Sequence, residues 1–182
     1  MRWELLFDDL AARLDAEESL ERQAEVADRT RRERAQLGLH QRLVAARAGG
    51  AVTAQVAGLG RLHARVLDVG ADWVLLGTSP ERGALVPFAA LRSLGGLVGR
   101  AGPVSTVAKG FTLGAALRAV SRDRAPVALV DVDGARLTGT IDAVGQDALD
   151  LAEHPLDLPR RAEHVTDVRV VPFPAIGAVL RE

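Results

Sequence analysis

The chain has no cysteine and no tyrosine, and only one lysine and one methionine among its 182 residues. Without thiols it forms no disulfide, uses no thiolate nucleophile and holds no zinc through sulfur. Aromatic residues make up 3% of the chain, which argues against stacking bases on Phe, Tyr or Trp. No apolar run approaches the ~20 residues needed to cross a bilayer. The start, Met1-Arg2-Trp3-Glu4, carries acid where a secretory leader carries base, so a cytoplasmic location is expected. The net charge of −1 is too small for the bulk field to hold nucleic acid. The basic residues are 22 arginines and Lys109, in a chain rich in Ala, Gly, Val and Leu. That bias fits GC-rich coding and is weak evidence for phosphate recognition.

The motifs of common chemistries are missing too. His40, His63, His154 and His164 show no metal spacing, and Gly58-Leu59-Gly60 opens a strand rather than a helix, so it is a turn and not a dinucleotide loop. Gly95 to Gly99 lacks the Lys-Ser/Thr of a phosphate loop, and there is no Gly-x-Ser-x-Gly elbow. Asp68 with Asp72, and Asp142 with Asp147, could form carboxylate pairs. Their recurrence at equivalent turns favours the backbone-bonding role of Asp in turns. No catalytic residue, cofactor or metal site is expected, and the chain reads as a non-enzyme.

What the chain does contain is a copy of itself. Arg61-Leu62 through Val69-Gly70-Ala71-Asp72 returns 75 positions later as Arg136-Leu137 through Val144-Gly145-Gln146-Asp147. Alternating strands are predicted at 52–56, 62–69, 73–76, 84–88 and 91–94, and again at 127–132, 137–144, 148–151, 163–165 and 168–171. Turns fall at Gly58-Leu59-Gly60 and at Asp133-Gly134, the latter a strong hairpin signal. Leu37, Leu39 and Leu43 before the first set, and Phe111, Leu113 and Leu117 before the second, predict a leading helix for each. Five short strands with tight turns suggest a small barrel, because closure hides the edges of so small a sheet. Aligning the fifth strands at 90–94 and 167–171 needs the smaller insertion. It leaves the triplets Val86-Pro87-Phe88 and Val171-Pro172-Phe173 either as coincidence or as the mark of a ten-residue insertion.

Residues 2 to about 36 read as helix, with Trp3, Phe7, Leu10 and Leu14 on one stripe. Its charge is segregated: nine acids and two arginines from Glu4 to Asp28, then four arginines and one acid from Arg29 to Arg34. Acid early and base late suits the helix dipole, and would also suit antiparallel pairing with a second copy. The expected fold class is therefore α+β: a charged helical segment over 1–36, a helix-plus-five-strand barrel over 37–94, a Gly-rich linker over 95–110 and a second barrel over 111–182.

Val127 to Val144 with Asp133-Gly134 and Gly139, the aliphatic run before Leu151, and Arg82-Gly83 ahead of Ala84-Leu85-Val86 make these units similar to the Sm-like fold and to SH3-like barrels. The resemblance implies ring formation and RNA contacts in two loops. Asp72 and Asp147 stand where that family places an Asn, and carboxylates repel phosphate. The second loop keeps Arg82-Gly83 in one unit and offers Arg160-Arg161 in the other. The whole chain also resembles short proteins of high-GC bacteria that begin with a Trp-rich acidic helix, some labelled Fis-type regulators. A Fis-like reader would end in a helix-turn-helix.

Two functions follow as expectations. The first is a non-enzymatic binding or oligomerisation module with a regulatory or scaffolding role, a homo-oligomer or protein-partnered, using Trp3, Phe7, Leu10 and Leu14. The alternative is a nucleic-acid-binding regulator using Arg29, Arg31, Arg32 and Arg34 with loop arginines Arg82, Arg160 and Arg161.

Overall fold

The computed structural model describes residues 21–32, 35–97 and 110–181. The chain divides into two compact units, Met1–Gly38 and Leu39–Glu182. In the first, residues 21–32 form helix α1, exposed along nearly its whole length. The predicted stripe of Trp3, Phe7, Leu10 and Leu14 lies outside the described residues.

The second unit holds helix α2 (Leu39–Ala46), strands β1 (Val52–Val56), β2 (Gly60–Val69), β3 (Trp73–Gly77), β4 (Gly83–Pro87) and β5 (Leu91–Gly95), helix α3 (Leu113–Asp123), and strands β6 (Val127–Asp131), β7 (Arg136–Val144), β8 (Ala148–Glu153), β9 (Asp167–Pro172) and β10 (Ile176–Arg181). All ten strands join one antiparallel sheet in the order β5-β1-β2-β3-β4-β10-β6-β7-β8-β9. This corrects the expected architecture. The strands do not close into two barrels behind a helical segment; they form a single open sheet. The edge that closure would need is already used, because β4 pairs with β10. Hydropathy periodicity reports strands and faces, not which edges meet.

The two halves of the sheet match in register. A bulge between Val66 and Asp68 in the β2–β3 ladder recurs between Ile141 and Ala143 in β7–β8. The amide of Ala57 donates to the Ala90 carbonyl at 2.8 Å, and that of Val132 to Ala175 at 3.0 Å. The amide of Phe88 donates to Asp72 at 2.7 Å, and that of Phe173 to Asp147 at 2.8 Å. Pro87 faces Trp73 across its ladder as Pro172 faces Ala148. The Val-Pro-Phe triplets are thus structural counterparts, 85 positions apart, and each runs from a strand into a short 3-10 turn. The expected alignment of 90–94 with 167–171 is corrected. Residues 163–165 belong to the β8–β9 loop, Val168–Val171 lie in the counterpart of β4, and the last strand is Ile176–Arg181. The extra ten residues sit in that loop.

Local chemistry explains the elements. In β1, Val52, Ala54 and Val56 are buried while Thr53 and Gln55 are not, the alternation of a half-covered strand. In β6 the run Val127 to Val130 is buried on both faces. Helix α3 turns Leu113, Ala116 and Leu117 inward and ends at Arg124, whose left-handed φ of 52° breaks the helix. At the β1–β2 turn Gly58 has φ +70°, and a Cβ there would come within 1.8 Å of the Asp131 carbonyl oxygen at the end of β6. The turns of the two halves therefore touch backbone to backbone.

The apolar residues gather in two clusters that interlock. One is built on Leu43, Val52, Val56, Val66, Val74, Leu76 and Val86 of the first half, and includes Ala178 from β10. The other is built on Leu117, Val127, Leu129, Ile141, Leu149 and Leu151 of the second half, and takes in Trp73 and Leu85 from the first. Trp73, on β3 of the first half, packs into the second cluster.

Candidate functional site

The seam between the halves combines a strand ladder with a set of polar contacts. β4 and β10 pair through Leu85–Val179, Ala84–Leu180 and Gly83–Arg181. Beside this ladder, the β2–β3 turn of the first half grips the start of helix α3. Asp72 Oδ1 accepts the Leu113 amide hydrogen at 2.7 Å. The Phe111 carbonyl accepts from the Ala71 amide and from Trp73 Nε1, both at 2.9 Å. The Trp73 and Phe111 rings meet edge to face with centroids 6.4 Å apart. Thr112, at the N-cap position, makes no side-chain cap. A carboxylate 41 residues earlier in the chain satisfies the helix end instead.

A cavity of about 600 Å³ lies along the same seam. Leu67, Leu75 and Leu85 from the first half and Val127 and Val179 from the second line it, with Arg82, Glu81, Asp123 and Arg181 among its walls. Arg181 pairs with Asp123 at 3.7 Å.

The sheet has two outer edges, β5 and β9, and among the described residues each pairs on one side only. On β9, Val168 is 53% exposed and Val170 is 68% exposed. Their counterparts on β4 are Gly83 and Leu85, and Leu85, with β10 beside it, is only 6% exposed. Leu39, at the start of α2, is 39% exposed, whereas its counterpart Leu113 at the start of α3 is 5% exposed. The two valines stand exposed on this edge alongside Asp167, Arg169 and Pro172, residue types that usually guard an edge.

The arginines singled out from the sequence are mostly engaged. Arg31 is paired with Asp28, and Arg29 also has an interaction of its own. Arg32 is exposed on α1, and Arg34 lies outside the described residues. Arg160 binds Asp142 through two bonds of 2.8 and 2.6 Å, and its guanidinium is held above its usual pKa by that hydrogen bond and by the carboxylate charge. Arg161 lies 3.8 Å from Glu163. Arg82 stands exposed in the β3–β4 loop.

The proposed carboxylate pairs are not pairs. Asp68 lies 3.4 Å from Arg47 and also accepts the Val69 amide hydrogen; Asp142 serves Arg160 and Arg124. His154 is buried to 1% exposure and fully bonded. Its Nδ1 donates to the Pro155 carbonyl at 2.8 Å, since a carbonyl only accepts, and its Nε2 bonds the Thr140 hydroxyl at 2.9 Å. No group of acids and histidines able to hold a metal occurs among the described residues. Nor is any described helix long and apolar enough to cross a membrane.

Reading the sequence missed the two exposed valines and the capping role of Asp72. The repeat alignment at 85 positions, carried by the Val-Pro-Phe triplets, matches Val170 with the buried Leu85. No family model matches the chain, and no curated protein matches it, so the Sm-like and Fis-type resemblances rest on the motifs alone.

Proposed function

We propose that the chain is a non-enzymatic cytoplasmic module that associates with itself through its sheet edges and acts as a scaffold in regulation. The observation that carries this reading is the pair of exposed valines, Val168 and Val170, on the outer edge of a ten-stranded sheet. An open edge presents unpaired amides and carbonyls as well as apolar side chains, and a strand from another chain satisfies both. Zero cysteine is consistent with a reducing compartment. The arginine-based nucleic-acid alternative has less behind it, because Arg31, Arg160 and Arg161 already have acidic partners.

Sedimentation over a concentration series tests the proposal. The expected result is a mass above the 19.3 kDa of one chain that grows with concentration. Val168→Lys with Val170→Lys should return the protein to a single chain, since edge lysines block strand addition. A constant single-chain mass for the unaltered protein would overturn the reading. Association lost steeply with salt and restored by added RNA would instead favour the nucleic-acid alternative.

A further inference from the structure

Resting on the self-association just proposed, we infer that the partner at the β9 edge is the β5 edge of a second copy, docked as β10 docks on β4 within one chain. The seam inside the molecule supplies the template. β4 is the counterpart of β9 and β10 that of β5, so the two edges left open are the same two that meet at the seam. Transferring the internal ladder by the 85-residue offset pairs Val170 with Leu94, Arg169 with Gly95 and Val168 with Gly96 of the second copy. Val168 and Arg169 thus face glycines, and Val170 faces Leu94.

Three separate features of one chain fit this arrangement. Val170 is exposed where Leu85 is covered, and Leu39 is exposed where Leu113 is covered. Asp147 is the counterpart of Asp72, whose carboxylate caps α3 across the seam. The Asp147 carbonyl is used by Phe173, but its carboxylate bonds no described residue. In the inferred contact, the Asp147 carboxylate accepts the Leu39 amide hydrogen of the neighbouring copy, as Asp72 accepts that of Leu113. The contact is head-to-tail, so successive copies close a ring or run on as a filament.

The absence of native cysteine makes the test direct. Two proteins are made, Leu94→Cys and Val170→Cys, and are oxidised separately and mixed. Paired strand positions lie within disulfide reach, roughly 4.4–6.8 Å between Cα atoms. Disulfide-linked dimers are expected in the mixture and not in either protein alone. Linking of Val170→Cys with itself as readily as in the mixture would overturn the inference in favour of a β9–β9 contact. An unaltered protein that is oligomeric while the mixture does not link would overturn it too, leaving self-association standing through another surface. An unaltered protein that is a single chain at every concentration would remove both. Asp147→Ala should weaken self-association about fivefold, the size of a lost helix cap, without changing the unfolding midpoint of the dilute protein. No change in association would remove the capping contact.

Discussion

At the scale of single residues, the β8–β9 loop shows how an insertion is accommodated. The ten extra residues lie between Glu153 and Asp167, a segment that opens with His154 and brings a polar ring into a buried position. Thr140 and the Pro155 carbonyl satisfy both its nitrogens, and its backbone bonds Thr138 at 2.9 Å. Beside it, Gly139 faces β8 so closely that a Cβ would lie 2.0 Å from the Ala152 carbonyl oxygen. Thr140→Val keeps the shape of the side chain and removes the hydroxyl, leaving Nε2 buried without a partner. We expect it to cost about 1–3 kcal/mol in urea-induced unfolding, the desolvation penalty of one unpaired buried group. A loss below a few tenths would mean that water reaches the ring.

At the scale of elements, the strands and leading helices could be read from alternation and turn signals, but their partners could not. Val127 to Val130 and Val52 to Val56 announce themselves by hydropathy alone. Ile176 to Leu180 is also a continuous apolar run, yet an alignment of Val168–Val171 with the fifth strand leaves it as a tail. Glu163–Val165 completes the strand count by pattern, although those residues lie in the loop that carries the insertion. The candidate site was less legible still. Alternation in β9 does not say that its outer edge lacks a neighbour. Asp72, which has the chemistry of a turn residue, acts on a helix that starts 41 positions away. Its long reach is itself testable. Asp72→Ala should destabilise the folded sheet by about 1 kcal/mol, as loss of an N-cap does, read as a lower urea midpoint. If Asp72 only shaped its own turn, Asp72→Asn and Asp72→Gly would restore stability equally well, since both suit turns. Capping of α3 predicts that Asn restores it and Gly does not, because Gly has no side chain to reach Leu113.

At the scale of the molecule, the repeat produces one folding unit rather than two. Each half lends apolar side chains to the other's cluster: Ala178 to the first, Trp73 and Leu85 to the second. The backbones of the Gly58 and Asp131 turns are also in contact. A sheet joined this way exposes core from both halves if either opens, so the cost of partial unfolding is high and the transition should be all-or-none. The two tryptophans allow a clean measurement, because Trp3→Phe leaves Trp73 as the sole indole, seated in the second cluster. Leu43→Ala empties a site in the first cluster and Leu117→Ala a site in the second, and both leucines are fully buried. Each should cost about 2–5 kcal/mol. With one cooperative unit, both variants lower the urea midpoint reported by Trp73 fluorescence by comparable amounts. If the halves were independent, Leu43→Ala would leave the Trp73 signal where it was and shift only the strand signal in circular dichroism. Coincident shifts would mean that the duplicated sequence has become a single ten-stranded sheet in energy as well as in topology, with its two edges as the places where another strand could still be added.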